Sequence, residues 1–205
     1  MRNVILYGAG SLAREVFDFE NSLPNPRVNF VGYINDAGPD DSFEQLAGIP
    51  RMFLSESSSE CSYLICVADP VARLNILKKI EQVDGQLYTY IHPTVLISKT
   101  AVVSSGCIIY PYVVISANSY LGKCVLVNTY SGIGHDVSVG DFTTISAHVD
   151  LMGHVQVGEC CFFGSGARVA PGKKIGSSAK IGTGISVIRS IKENSKIFPY
   201  ANKVV

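Results

Sequence analysis

An apolar residue recurs at every sixth position through the carboxyl-terminal half of the chain. The series runs from Ile91 to Val187 without a gap and fills 17 positions, which are all aliphatic except Phe163. An α-helix repeats its apolar stripe about every 3.6 residues, so a helix cannot produce this period. Antiparallel strands would alternate residue by residue between irregular turns. The period of six instead predicts a coil with three flat sides, in which each hexad is one short strand and one corner.

The residues around each aliphatic position have the sizes that such a coil requires. Small or β-branched residues usually precede it by two positions and glycine often follows it, so we expect glycine or a small polar residue to form the corners. The glycines that follow are Gly122, Gly134, Gly140, Gly158, Gly164, Gly176 and Gly182. Stacked coils pair through their backbones at about 4.8 Å. Because no insertion interrupts the register, residues 18 positions apart are expected to lie above one another.

The amino-terminal half begins with an apolar run at residues 4–7, a glycine turn at residues 8–11 and a helical pattern, which together start a βαβ unit. Glycines let the backbone approach a phosphate, and a helix N-terminus favours an anion. A second predicted strand is followed by Asp36, whose carboxylate could bind a sugar hydroxyl. The glycines could also serve only a tight turn, and about 90 residues are too few for the two halves of a dinucleotide site. The predicted substrate-binding residues are Gly8, Gly10, Ser11 and Asp36.

Composition excludes several classes of function. Hydrophobic residues make up 47% of the chain and charged residues 17%, which is too apolar for a disordered protein. The formal net charge is zero, so no electrostatic argument favours nucleic acid or an anionic membrane as a partner. No signal-like segment or bilayer-spanning apolar stretch is present, and none of the cysteines forms a Cys-x-x-Cys pair. We therefore expect a cytoplasmic protein with reduced thiols.

Five short motifs give the chain a specific resemblance. They are Y-G-A-G at 7–10, I-H-P-T at 91–94, N-T-Y-S-G-I-G-H-D at 128–136, V-G-D-F at 139–142 and V-I-R-S-I-K-E-N-S at 187–195. With the two-part organisation, they resemble the sialic acid O-acetyltransferases of the NeuD type and the bacillosamine-type sugar acetyltransferases, which are hexapeptide-repeat transferases. The resemblance implies an α/β Rossmann-like nucleotide-sugar-binding domain over residues 1–90. It also implies an all-β left-handed parallel β-helix with the acyltransferase activity over residues 91–205, ending in a C-terminal tail.

The activity implied by the resemblance is transfer of an acetyl group from acetyl-CoA, as co-substrate, to an amine or hydroxyl of a nucleotide-linked sugar. Such a step would serve surface-glycan or polysaccharide biosynthesis. Family members are homotrimers that build the CoA site between subunits, so a homotrimer is expected. The family carries histidines at the positions of Leu12 and Thr144. The identity of the sugar and its nucleotide, and the choice between nitrogen and oxygen, therefore stay open.

The resemblance also implies roles for single residues, with His135 as the general base and Asp136 as its support. The residues implied at the acetyl group are Asn128 and Gly153, and those implied along the CoA arm are Gly164 and Gly182. A neutral imidazole, with an ordinary pKa of about 6.5, can take a proton from an attacking amine or hydroxyl. His135 follows a glycine at a predicted corner, so its side chain should point outward. Gly153 is 18 residues further along, which places a backbone N–H close enough to stabilise an oxyanion.

Two other functions are compatible with the same pattern. Histidines on a β-helix suggest a zinc enzyme such as a γ-type carbonic anhydrase, which needs three convergent ligands. His135, His148 and His154 do not share one column of the 18-residue register, so we expect no metal, and we expect His154 to lie above Asp136. A non-catalytic module that binds CoA or a sugar could have the same fold. Release of CoA from acetyl-CoA in the presence of a sugar acceptor would distinguish it from an enzyme.

Overall fold

The computed structural model describes residues 1–36, 48–56 and 61–199. The chain divides into two compact units, Met1–Tyr90 and Ile91–Val205. Among the described residues, no helix combines the length and the apolar character that crossing a bilayer requires. The six cysteines all lie in described segments and are free, as expected for reduced thiols.

The amino-terminal unit contains a four-stranded parallel sheet. Its elements are β1 Arg2–Tyr7, α1 Ser11–Asn21, β2 Val28–Ile34, a 3₁₀ turn Leu54–Glu56, β3 Ser62–Ile65, α2 Pro70–Glu81 and β4 Gln86–Leu87. The strands lie in the order β2-β1-β3-β4. The central strands β1 and β3 are nearly continuous apolar runs because both of their faces are buried. Helix α2 begins where Asp69 accepts a hydrogen bond from the amide of Ala72 and a proline takes the first helical position.

The carboxyl-terminal unit is a parallel β-helix built from two-residue strands. They are β5 Tyr90–Ile91, β6 Leu96–Ile97, β7 Val102–Val103, β8 Ile108–Ile109, β9 Val114–Ile115, β10 Tyr120–Leu121, β11 Leu126–Val127, β12 Gly132–Ile133, β13 Ser138–Val139, β14 Thr144–Ile145, β15 Asp150–Leu151, β16 Gln156–Val157, β17 Phe162–Phe163, β18 Arg168–Val169, β19 Lys174–Ile175, β20 Lys180–Ile181, β21 Ser186–Val187 and β22 Lys196–Ile197. They form sheets of seven, six and five strands, so the coil makes about six turns. Partners are 18 residues apart, as for Ile133 and Leu151, which confirms the predicted register.

The core of the β-helix is the sixfold series itself. From Ile109 to Val187 every residue of the series is at most 5% exposed. Earlier in the series, Ile97 is 37% exposed, because its strand β6 is at the edge of its sheet and has no earlier coil beneath it. Burial of aliphatic side chains in one continuous column therefore holds successive coils together.

The corners differ in one respect from the expectation. Most described positions with a left-handed backbone in the β-helix are not glycines, and examples such as Asp136 and His154 have φ of 58° and 61°. The expectation of glycine or a small polar residue is therefore met at corners such as Asn118 and Asp136 but wrong at corners such as Tyr112 and Phe142. Glycines such as Gly134 serve a different purpose, because a Cβ there would lie 2.7 Å from the carbonyl oxygen of Leu151 on the next coil. They permit close stacking of coils rather than a special φ.

Candidate active site

His135 and Asp136 form a hydrogen-bonded pair at the corner between β12 and β13. Nδ1 of His135 lies 2.8 Å from Oδ2 of Asp136. The side chains are 59% and 39% exposed, so the pair points outward, as predicted. Asp136 has the left-handed backbone that a corner requires, which turns its carboxylate back toward the imidazole of the preceding residue.

The carboxylate of Asp136 is fixed from a second direction by Asn118. Nδ2 of Asn118 donates to Oδ1 at 3.2 Å from one coil earlier. The hydrogen bonds from His135 and Asn118 hold the pKa of Asp136 below its ordinary value, so this group is ionised near neutral pH. An ionised carboxylate only accepts hydrogen bonds, so Nδ1 of a neutral His135 carries the proton and Nε2 keeps its lone pair. The pair is thus arranged to leave Nε2 as the basic atom.

Gly153 lies against the basic edge of His135. A Cβ at Gly153 would be 2.5 Å from Nε2, so the imidazole occupies the space that a side chain would fill. The amide of Gly153 makes no hydrogen bond to any other residue in the described part of the chain. A backbone N–H on the residue that contacts the base is a candidate donor to a negative charge that develops on a substrate oxygen.

His154 lies on the next coil and contacts both members of the pair. Its ring meets that of His135 edge to face, at a centroid distance of 4.9 Å. Its Nδ1 lies 3.8 Å from Oδ2 of Asp136, which agrees with the predicted stacking of residues 18 apart. His135 and His154 come into contact although, as expected, they do not share a column of the 18-residue register, and His148 lies apart from both at another corner. The ligand atoms of these three residues lie within 4.8 Å of one another and could hold a metal ion.

The remaining residues proposed for the acetyl group and the CoA arm lie elsewhere on the β-helix. Asn128 follows β11 and occupies the corner before that of His135, where its Oδ1 accepts a hydrogen bond from the amide of Thr129 at 2.6 Å. One chain therefore does not bring Asn128 and His135 to the same corner. Gly164 and Gly182 both stack closely on the next coil, since a Cβ would lie 2.6 Å from the amide nitrogen of Thr183 and 3.0 Å from Cδ of Pro199 respectively.

The two glycines of the amino-terminal turn have different environments. Gly8 has φ of 102°, and a Cβ there would lie 2.8 Å from the carbonyl oxygen of Cys66, so the fold itself requires this glycine. Gly10 caps the N-terminus of α1 without a side-chain hydrogen bond, and a Cβ there would meet no atom within 4 Å. Ser11 is the exposed first residue of the helix. Packing within the chain explains Gly8 but gives no reason for Gly10.

Asp36 is already engaged in a small polar cluster. Its Oδ2 accepts hydrogen bonds from Oη of Tyr7 at 2.9 Å and from Nζ of Lys79 at 2.6 Å. Burial by itself raises the pKa of Asp36, but the hydrogen bonds from Lys79 and Tyr7 outweigh it and hold the pKa below its ordinary value. Asp36 remains half exposed, so it is oriented by its neighbours and still open to a ligand hydroxyl.

Four further residues that the sequence singled out are either buried or lie away from His135. Leu12 and Thr144, at the positions where the resemblance implies histidines, are 9% and 2% exposed, so both side chains are buried. His92 is buried and its Nδ1 lies 2.9 Å from Oγ1 of Thr94, at the start of the β-helix. His148 stacks on Tyr130 at another corner, away from His135.

Two residues of the site were missed as site residues in the sequence. Asn118 binds Asp136, and His154 contacts His135. Asn118, Asp136 and His154 share one column of the 18-residue register. That column could have identified the contact between Asn118 and Asp136 from the sequence.

Comparison with known proteins gives matches over nearly the whole chain. No protein-family model matches. GDP-perosamine N-acetyltransferase of Escherichia coli O157:H7 is 27% identical over 173 residues, which are 82% of this chain and 77% of that protein. A histidine-to-asparagine variant of perosamine N-acetyltransferase from Caulobacter crescentus, solved in complex with CoA and GDP-perosamine, has a TM-score of 0.85 and 23% identity, covering 98% of this chain and 95% of its own.

A second solved structure has the same fold. The acetyltransferase domain of PglB from Neisseria gonorrhoeae FA1090, in complex with acetyl coenzyme A, has a TM-score of 0.85 and 23% identity, covering 97% of this chain and 96% of its own. These similarities support the left-handed sense expected for the β-helix. The resemblance predicted from the motifs is confirmed, because the proteins to which this chain is similar are sugar acetyltransferases of the hexapeptide-repeat type.

Proposed function

We propose that this protein transfers an acetyl group from acetyl-CoA to an amine of a nucleotide-linked sugar. The observation that carries the proposal is the corner at which Asp136 orients His135 and Gly153 packs against Nε2. That corner supplies a base and an oxyanion donor on the fold of enzymes that bind CoA and GDP-perosamine. An amine is favoured over a hydroxyl because the curated relative is named as an N-acetyltransferase.

Each group of this corner has its own role in the proposed reaction. Nε2 of His135 accepts a proton from the sugar amine as its nitrogen attacks the thioester carbonyl carbon. The amide of Gly153 donates a hydrogen bond to the oxyanion that forms. The carbon–sulfur bond then breaks, and the CoA thiolate recovers the proton from the His135 imidazolium. Asp136 stabilises the imidazolium while it exists and keeps Nδ1 protonated throughout. No metal takes part in this scheme.

The amino-terminal unit is proposed to be a Rossmann-like domain that binds the nucleotide part of the acceptor. Its parallel sheet and the α1 N-terminus supply a strand–glycine–helix turn that favours a phosphate. The open space in front of Gly10 suits a diphosphate, with Ser11 as a hydroxyl donor beside it. Gly8 shapes the turn, and the oriented carboxylate of Asp36 would accept a sugar hydroxyl. The sugar and the base of the nucleotide are left open.

A homotrimer is proposed because one chain does not complete the site. Asn128 and His135 lie at successive corners of one coil, and a neighbouring copy could bring its own Asn128 to the acetyl group. The CoA arm would then pass along the corners that begin at Gly164 and Gly182, two glycines that stack closely on the next coil. A monomeric mass in solution at micromolar concentration, together with full activity, would contradict this assembly.

Turnover with a panel of acceptors tests the proposed function. GDP-, UDP- and dTDP-linked amino sugars are incubated with acetyl-CoA, thiol release is followed spectroscopically and the product is identified by mass spectrometry. We expect acetylation of at least one amino sugar and none of its deaminated analogue. Binding of acetyl-CoA without thiol release for any acceptor would instead indicate a non-catalytic binding protein.

A further inference from the structure

His154 has a fixed position relative to the His135–Asp136 pair. It follows Asp136 by 18 residues and has the same left-handed backbone, with φ of 61° against 58°. Its amide donates to the carbonyl oxygen of His135 at 2.9 Å. The backbone of His154 is thus tied to the residue whose ring its own ring contacts, although the His154 side chain is 65% exposed.

Two contacts join the side chains of these residues. The rings of His135 and His154 meet at an interplanar angle of 89°. Nδ1 of His154 also faces Oδ2 of Asp136, the oxygen that binds Nδ1 of His135. Gly153 also packs against this ring, because a Cβ there would lie 2.5 Å from Nε2. The imidazole of His135 therefore contacts the backbone of one residue and the ring of the next.

We propose that His154 is a positioning residue that keeps the imidazole of His135 in the orientation from which Nε2 takes the acceptor proton. An exposed histidine with a single side-chain hydrogen bond can adopt other rotamers. The ring of His154 blocks rotation toward its own side, and its nitrogen keeps Oδ2 of Asp136 turned toward His135. This inference rests on the proposed role of His135 as base.

Replacement by asparagine tests the role without straining the corner. His154→Asn removes the ring, and asparagine tolerates a left-handed backbone better than most residues. His148→Asn is the matched control, because His148 is exposed, has φ of 58° and also loses a ring contact, with Tyr130. We expect kcat to fall about 10-fold to 100-fold for His154→Asn with the KM for acetyl-CoA within about twofold, and no change for His148→Asn.

A double-mutant cycle and a spectrum complete the test. In an Asp136→Asn background, His154→Asn should cost less than in the wild type, because the carboxylate it orients is gone. Nitrogen NMR of labelled imidazoles should show His135 losing its preference for the Nδ1–H tautomer in His154→Asn. The spectrum needs no turnover, so it still reports on His154 if the protein proves not to be an acetyltransferase. An unchanged His135 spectrum with wild-type kcat, or equal losses in both asparagine variants, would overturn the proposal.

Discussion

Nδ1 of His135 lies 2.8 Å from Oδ2 of Asp136, and this contact determines which nitrogen of the ring is free. Because the carboxylate can only accept, the proton of the neutral ring belongs on Nδ1. Nε2 is then the atom that can remove a proton from an acceptor, and it faces Gly153. The contact with Asp136 therefore fixes the Nδ1–H tautomer of His135 and leaves Nε2 as the proposed base.

Removal of the imidazole should abolish most of the turnover. We expect His135→Ala to lower kcat by roughly 10²–10⁴-fold while the affinity for acetyl-CoA stays nearly unchanged. The side chain is 59% exposed, so the variant should keep its stability. Asp136→Asn should lose less, since the base remains and only its orienting charge is removed. Steady-state kinetics and thermal unfolding measure both effects, and an alanine variant with wild-type turnover would exclude His135 as the base.

The rate should fall as the pH is lowered because a base that already holds a proton cannot accept one from the acceptor. Protonation of Asp136 does not cause this fall in rate, since the hydrogen bonds from His135 and Asn118 hold the pKa of Asp136 below its ordinary value. A carboxylate with a depressed pKa contributes to the native state above that pKa and loses its contribution only as the pH falls through it. We therefore expect Asn118→Ala to leave the acid limb of the kcat profile in place. If the acid limb moved to higher pH in Asn118→Ala, the limb would belong to Asp136 instead.

A methyl group at Gly153 should damage activity more than stability. A Cβ there would lie 2.5 Å from Nε2, so Gly153→Ala must displace the ring of His135. The backbone of Gly153 is not left-handed, so alanine is compatible with the corner. We expect a loss in kcat of about 100-fold. Gly132→Ala is the control on the neighbouring coil, where the nearest atom to a Cβ is Oδ1 of Asp150 at 3.3 Å, and it should retain activity. Equal losses in both variants would indicate a general disturbance of the coil.

The amino-terminal unit should depend on one buried carboxylate. The side chain of Glu20 is fully buried, accepts hydrogen bonds from the amides of Arg27 and Val28, and pairs with the Arg27 guanidinium at 3.1 Å. Glu20→Ala leaves two backbone donors without their acceptor, so we expect a loss of about 3 kcal/mol in the stability of this unit. Hydrogen exchange of the β1 and β2 amides in the full chain measures it. Asp18→Ala, an exposed acid on the same helix, should leave the exchange unchanged, and similar rates in the Glu20 variant would refute the prediction.

The sixfold series was sufficient to predict the coil, its core and the neighbours within one column. It placed Gly153 above His135 and His154 above Asp136 because the register has no insertion. The contact between His135 and His154 could not be predicted in this way. It joins residues 19 apart and depends on how a left-handed corner directs a side chain, which the period of six does not specify.

Other features depend on packing that no repeat encodes. Asp36 was expected to be free for a ligand, but it is oriented by Lys79, which comes from a helix more than forty residues away. Thr144 belongs to the outward position of its strand, yet it is buried, so alternation alone would have misplaced it. The contact of Asp36 with Lys79 and the burial of Thr144 both arise from the fold rather than from the local sequence.

Metal removal should leave the rate unchanged, whereas added zinc should lower it. Proton transfer through Nε2 of His135 requires no metal, so dialysis against a chelator should preserve kcat. The ligand atoms of His135, Asp136 and His154 lie within 4.8 Å of one another, and zinc binds imidazole and carboxylate at about 2.0–2.2 Å. A bound zinc ion would occupy a nitrogen of the base and break its contact with the carboxylate, and the inhibition should be reversed by the chelator. Magnesium, which prefers oxygen ligands, is the control and should not inhibit. If the chelated protein were inactive and recovered only with zinc, the corner would be a metal centre and the proton-transfer scheme would fail.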